Sequence, residues 1–146
     1  MTCLDELRAR CSSCTSCKLS IRRKHVVFGE GNPQAPLVLV GEGPGDEEDK
    51  TGRPFVGRAG KLLDQALAEC GLDRTKVYIC NTVKCRAHEV INGRAVNRAP
   101  EPDEVEACRP WLAAQLHAIA PQVILCVGAP SARNLIRKDF AITKER

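Results

Sequence analysis

Aromatic side chains are scarce in this 146-residue chain, where one Trp, one Tyr and three Phe make up 3% of the residues. An aromatic residue inside a motif therefore stands out. No apolar run approaches the roughly 20 residues that a helix needs to cross a bilayer, which excludes a transmembrane helix. The opening segment, MTCLDELRAR, lacks the apolar stretch of a signal peptide. Together these absences predict a cytoplasmic protein, in which thiols stay reduced and metal binding outranks disulfides. There is no internal repeat and no low-complexity segment. A G-x-G-x-x-G turn and the Lys-Ser/Thr end of a P-loop are both missing, which disfavours a nucleotide-cofactor fold.

Cysteine, in contrast, is abundant, with nine residues. Cys14 and Cys17 form a C-x-x-C pair, while Cys85 and Cys108 stand alone far downstream. Thiolates hold iron well, and a cubane cluster commonly takes one close pair plus ligands from elsewhere in the chain. Structural zinc more often uses two separated close pairs or Cys/His pairs. The spacing thus suits an iron–sulfur cluster better than zinc or disulfides. Cys11 precedes Cys14 by the same interval, so spacing alone leaves open which two of the three bind. The competing reading is that all nine are small buried apolar residues.

The net charge of +4 is a mild bias toward polyanions, and its distribution says more. Arg22, Arg23, Lys24 and His25 form one basic run; Arg133, Arg137, Lys138, Lys144 and Arg146 crowd the end; Asp46 to Asp49 form an acidic run between them. Each run reads by default as a solvated face. Basic flanks around an acidic centre also suit a carboxylate site that must hold a phosphate backbone.

Apolar strand-like runs at Leu37–Val40, Val77–Cys80 and Val123–Val127 alternate with helical patterns. The helical patterns are Leu62 to Cys70, Pro102 to Leu116 and Ser131 to Ile136. This order predicts one α/β domain, three layers deep, with a central, mainly parallel sheet. The stretch from Arg86 to Glu101 reads as a long irregular connection. Ligands in such sheets bind beyond the carboxyl ends of the strands. That rule gathers Glu42 of the Gly41–Gly45 turn, Asn81 and the acidic run at one rim.

With these residues in place, the chain resembles family 4 of the uracil-DNA glycosylases, the iron–sulfur branch of that superfamily. The matching text is VVFGEGNP, LVLVGEGPGDEEDKTGRPFVGRAGKLLD, VYICNTVKCR, NRAPEPDEVEACRPWL and PQVILCVGAPSA. It covers nearly everything from Cys14 onward, so residues 1–146 read as one glycosylase-like domain. The resemblance implies a structural four-iron, four-sulfur cluster on Cys14, Cys17, Cys85 and Cys108. It implies hydrolysis of the N-glycosidic bond of deoxyuridine in DNA by a monomer that works in the cytoplasm at the nucleoid. A uracil in duplex DNA must leave the stack before this bond can be reached. Phe55 would stack on it, and Asn81 would match its N3 and O4 edge with one donor and one acceptor. Gly41 and Gly43 would let backbone approach the base. Glu42 or Glu48 would stabilise the oxocarbenium-like sugar and position water.

Two departures from the family pattern qualify these expectations. The Cys85-to-Cys108 connection carries extra residues, HEVINGRAV. A related branch that crosslinks covalently to DNA has a nucleophilic His there, within Lys-Arg-Arg-Ile-His; His88 lacks those neighbours. The family also continues into a final strand and a His-Pro-Ser segment whose His binds uracil O2, whereas this sequence stops at ITKER. The expectation is a weakly active or inactive 146-residue form with one sheet edge unpaired. The competing function is an iron–sulfur DNA-binding module without glycosylase activity.

Overall fold

The computed structural model describes residues 3–145; Met1, Thr2 and Arg146, named above within terminal segments, lie outside them. Helix α1 (Cys3–Cys11) is followed by a short 3-10 turn (Lys18–Ile21), strand β1 (Glu30–Gly31) and strand β2 (Leu37–Gly41). Helices α2 (Asp46–Thr51) and α3 (Arg58–Glu69) lead to β3 (Tyr78–Asn81) and a hairpin of β4 (His88–Ile91) and β5 (Arg94–Asn97). The long α4 (Pro102–Ile119), β6 (Val123–Cys126), α5 (Ala129–Leu135) and α6 (Ile142–Glu145) complete the order.

The main sheet runs β1-β3-β2-β6. β2 pairs in parallel with both β3 and β6, and β1 is antiparallel to β3. The two inner strands are apolar on both faces because both faces are covered. Val38, Val40, Tyr78 and Cys80 point to one side, where Leu4, Cys11, Leu112 and Ile119 of α1 and α4 close over them. Leu39, Val77 and Ile79 point to the other, against Leu63 and Leu67 of α3. This is the three-layer, mainly parallel arrangement expected from the strand runs. β6 is an edge strand among the described residues, and its Val123, Ile124 and Leu125 are exposed.

Three local expectations differ from the structure. The stretch after Arg86 is a regular hairpin: Asn92 and Gly93, both with positive φ, make a two-residue turn between Ile91 and Arg94. Asn-Gly supplies two left-handed residues, the geometry that matches the twist of paired strands. Leu62 is exposed, so the inner stripe of α3 is narrower than its leucines suggest. Of the cysteines read as buried apolar residues, Cys80 is fully buried, but Cys70 is exposed and Cys126 half-buried.

Candidate active site and thiol centre

β2 and β3 end side by side, Gly41 opposite Asn81. Beyond them the chain stays zipped. The Thr82 N–H and hydroxyl donate to the Gly41 carbonyl at 2.8 and 2.9 Å, and the Val83 N–H donates to the Glu42 carbonyl at 3.1 Å. The backbone of Glu42 is thereby fixed by β3.

Phe55 lies across this strand end. A Cβ on Gly41 would stand 2.5 Å from Phe55 Cζ and 2.6 Å from Asn81 Oδ1, so only glycine fits between ring and amide. Phe55 itself has φ 52, a left-handed conformation that costs a bulky residue energy unless its surroundings enforce it. Arg74 provides that restraint: its guanidinium donates to the Pro54 carbonyl at 2.8 Å and to the Phe55 carbonyl. Gly60 completes the turn, since a Cβ there would meet the Phe55 carbonyl oxygen at 1.8 Å. The result is a cavity of about 80 Å³ lined by Gly43, Glu48, Phe55, Ala59 and Asn81. The same packing leaves Asn81 only 2% exposed.

The two candidate carboxylates differ in surroundings. Glu48 is engaged by backbone. Its Oε1 accepts from the Gly45 N–H at 2.9 Å; its Oε2 accepts from the Val56 and Gly57 N–H groups at 2.9 and 2.7 Å. It thus caps α2 and ties the glycine turn to the Phe55 loop. Glu42 is half-buried, and burial pushes its carboxyl above the usual value of 4.5. It faces a cavity of about 100 Å³ beside Gly43 and a larger groove that Arg109, Arg133 and Lys138 also line. Of the rest of the acidic run, Asp49 is buried and accepts from the Lys24 and His25 N–H groups, so the run is only partly a solvated face.

Behind this rim lies a second centre. Cys14, Cys17, Cys85 and Cys108, brought by the loop after α1, the β3 exit and α4, line one cavity with Cys11, Arg23, Lys84 and Trp111. Among the described residues no three metal-binding side chains converge on a point as a single ion requires. Three of the four thiols receive N–H groups: Cys14 from Trp111 Nε1 at 3.3 Å, Cys108 from the Lys84 backbone at 3.3 Å, and Cys85 from Arg23 at 3.5 Å. Donors aimed at sulfur are what a thiolate set wants, so donor chemistry fits a cluster bound through sulfur. Burial pushes the Cys85 thiol up to about 11, against the pull of Arg23. Partial burial also pushes Cys14 up, yet its bonds with Ser16 and Trp111 and the charge of Arg23 outweigh it and hold that thiol below its ordinary value. Cys11 is 1% exposed and packs into the core formed by α1, α4 and the sheet; burial pushes its thiol up to about 12.

The structure thus gathers Gly43, Glu48, Phe55 and Asn81 around one cavity, sets Glu42 at the adjoining one, and brings the four spaced thiols together at another place. Arg74 and Lys84 escape sequence reasoning, because Arg74 acts through backbone carbonyls distant in the chain and nothing in the local pattern shows that Lys84 is buried. Trp111 carried a signal, standing three residues after Cys108 and so on the same helix face.

A mainly parallel sheet covered on both faces, with a small cavity at its strand ends and a second cavity lined by cysteines, defines an α/β protein with two candidate sites. Residues 28–144 match the uracil DNA glycosylase superfamily. The chain is 50% identical over 144 residues to the type-4 uracil-DNA glycosylase of Thermotoga maritima, covering 98% of this chain and 71% of that protein. It is 45% identical over 151 residues to the type-4 enzyme of Sulfurisphaera tokodaii, covering 100% and 66%. For that of Archaeoglobus fulgidus the figures are 46% over 143 residues, covering 96% and 68%. The chain therefore belongs to the uracil DNA glycosylase superfamily, and it spans about two-thirds of the length of these relatives.

Proposed function

We propose that this chain removes uracil from DNA by hydrolysing the N-glycosidic bond of deoxyuridine. The observation that carries the reading is the forced juxtaposition of Phe55, Gly41 and Asn81 around one small cavity, in a chain whose relatives are named for this activity. A flat ring extruded from the stack enters that cavity and lies against Phe55. The Asn81 amide offers uracil an acceptor for N3–H and a donor for O4; cytosine presents the opposite pattern and is rejected.

Glu42 is the carboxylate we assign to chemistry. It lines the adjoining cavity and the basic groove, from which it would meet the sugar, where positive charge develops, and orient water toward it. Glu48, saturated by three backbone N–H groups, serves as a positioning residue for the glycine turn and the Phe55 loop. Arg109, Arg133 and Lys138 along the adjoining groove supply phosphate contacts. The enzyme acts on DNA as a monomer, in the cytoplasm at the nucleoid; among the described residues no helix is long and apolar enough to cross a membrane.

Cys14, Cys17, Cys85 and Cys108 would hold a four-iron, four-sulfur cluster. When bound, that cluster supplies a fourfold crosslink joining the segment after α1 to the β3 exit and α4. The direct test is release of uracil from a labelled oligonucleotide by this chain and by a form extended with the family's His-Pro-Ser segment. Release from uracil-containing but not thymine-containing strands supports the reading. Equal affinity for uracil-containing and plain DNA, without release by either form, would leave only a DNA-binding module.

A further inference from the structure

Lys84 is 1% exposed and lies at the core between the two centres. Its ammonium makes one side-chain hydrogen bond, to the Asn81 carbonyl at 2.7 Å, and none of the ion pairs among the described residues involves it. A buried cation without a counter-charge costs far more than one hydrogen bond returns. Its other neighbour is the Phe28 ring, whose centroid is 6.0 Å from Nζ. That contact does not neutralise the charge.

The side of Lys84 away from Asn81 explains what does. Lys84 lines the thiol cavity with Cys11, Cys14, Cys17, Cys85 and Cys108, and no carboxylate lines it. The remaining cation there, Arg23, spans Cys85 Sγ and the Cys14 carbonyl. The backbone N–H of Lys84 points at Cys108 Sγ, and its carbonyl is tied to Val27, so its main chain is fixed against this wall. The anionic charge within reach is that of sulfur. A cluster bound through four thiolates is an anion, and it needs cations in a cavity walled by apolar side chains.

We propose that Lys84 is the internal counter-cation of the thiolate-bound cluster and that, through the Asn81 carbonyl, it couples occupancy of the thiol cavity to the uracil-reading amide. The inference rests on the cluster reading given above. Lys84 is a positioning residue, touching neither DNA nor iron. Lys84 lines the thiol cavity while its ammonium holds the Asn81 carbonyl, and it follows Asn81 by one turn of chain. A protein without the cluster leaves that charge uncompensated, and the β3 exit that carries Asn81 loses its anchor.

The test compares wild type, Lys84→Met and Lys84→Arg, each prepared without air as the full chain. The readouts are iron and sulfide content, midpoint potential, rate of cluster loss to a chelator, and affinity for a uracil-containing oligonucleotide. In Lys84→Met the potential shifts negative, because loss of a nearby positive charge disfavours adding an electron. Cluster loss becomes about tenfold faster or more, as for other residues that support metal ligands. Uracil affinity falls in parallel. Lys84→Arg keeps the charge and restores the potential and most of the chelator resistance. Should Lys84→Met fail to fold, Lys84→Gln, uncharged and polar, carries the same comparison.

Unchanged potential and chelator resistance in the uncharged variant of a loaded protein overturn this inference alone. So does equal loss in the Met and Arg variants, which would make Lys84 a packing residue. Wild type that binds neither iron nor sulfide overturns the cluster reading and the inference with it.

Discussion

Replacing Gly41 by alanine adds one methyl group at the most crowded point of the pocket. Backbone conformation is not the obstacle, since Gly41 is not among the positive-φ residues. Space is. The new Cβ would stand 2.5 Å from Phe55 Cζ, 3.0 Å from Phe55 Cε2 and 2.6 Å from Asn81 Oδ1. Phe55 cannot retreat freely, because Arg74 and Gly60 fix its backbone in a left-handed turn. Overpacking of this kind costs about 1–3 kcal/mol of stability. The functional cost is larger, because both uracil-contacting groups are displaced by the same methyl. Misplacement of about 1 Å costs on the order of 10²-fold in rate. Denaturant melts and uracil-release rates of Gly41→Ala measure both quantities. Adding Phe55→Ala should return part of the lost stability, since the closest clash disappears, but none of the activity. Gly93→Ala is the control: nothing lies within 4 Å, so the strain of its positive φ costs about 1 kcal/mol without touching uracil release. A Gly41→Ala protein with wild-type melting and wild-type rate would show that ring and amide do not enclose the base as described.

Other substitutions separate the roles assigned at the rim. Glu48→Ala leaves the Gly45, Val56 and Gly57 N–H groups without their acceptor, and should lower stability by about 1–3 kcal/mol in urea melts; an unchanged midpoint would refute the capping role. Burial raises the Glu42 carboxyl above 4.5, so its ionised form, the active one, is lost on acidification at a higher pH than for a free glutamate. The acid limb of the rate profile should lie above 4.5 and disappear in Glu42→Gln, whose residual rate is low and flat. The stability sign runs the other way: a raised carboxyl favours the fold below its ordinary value, and that contribution is lost as pH rises through the shifted one. Glu42→Gln should therefore melt no lower than wild type at neutral pH. Phe55→Ala should weaken binding of an extruded base by about 1–3 kcal/mol, read as affinity for a uracil-containing oligonucleotide. Cys85→Ala should lose iron and sulfide while Cys11→Ala keeps them, because Cys11 belongs to the core; full iron in Cys85→Ala would remove it from the ligand set.

Much of this arrangement was written in local patterns. The runs around Val38, Tyr78 and Ile124 announce parallel strands because they are apolar without alternation, and strand ends in such sheets collect ligands. That rule alone places Glu42 and Asn81 at one end of the sheet. Three features were not legible. Glu42 and Glu48 look equivalent as letters; only the fold shows that three N–H groups consume one and burial raises the other. The hairpin turn Asn92-Gly93 was present, but the polar residues around it masked the strands, which lie exposed on both faces and owe nothing to burial. Lys84 reads as one more basic residue in VKCR, because strand periodicity does not say that both sides of β3's exit are covered.

The most direct test of the account uses binding rather than chemistry, so that it does not depend on how the leaving group is stabilised. Oligonucleotides carrying a non-hydrolysable analogue of deoxyuridine, or cytidine at the same place, are titrated against wild type and Asn81→Asp. Wild type should favour uracil. The carboxylate of Asn81→Asp cannot donate to O4 but accepts from the cytosine amine, so the preference should vanish or shift toward cytosine. An Asn81→Asp protein that keeps the full uracil preference would contradict the central claim that this amide reads the base.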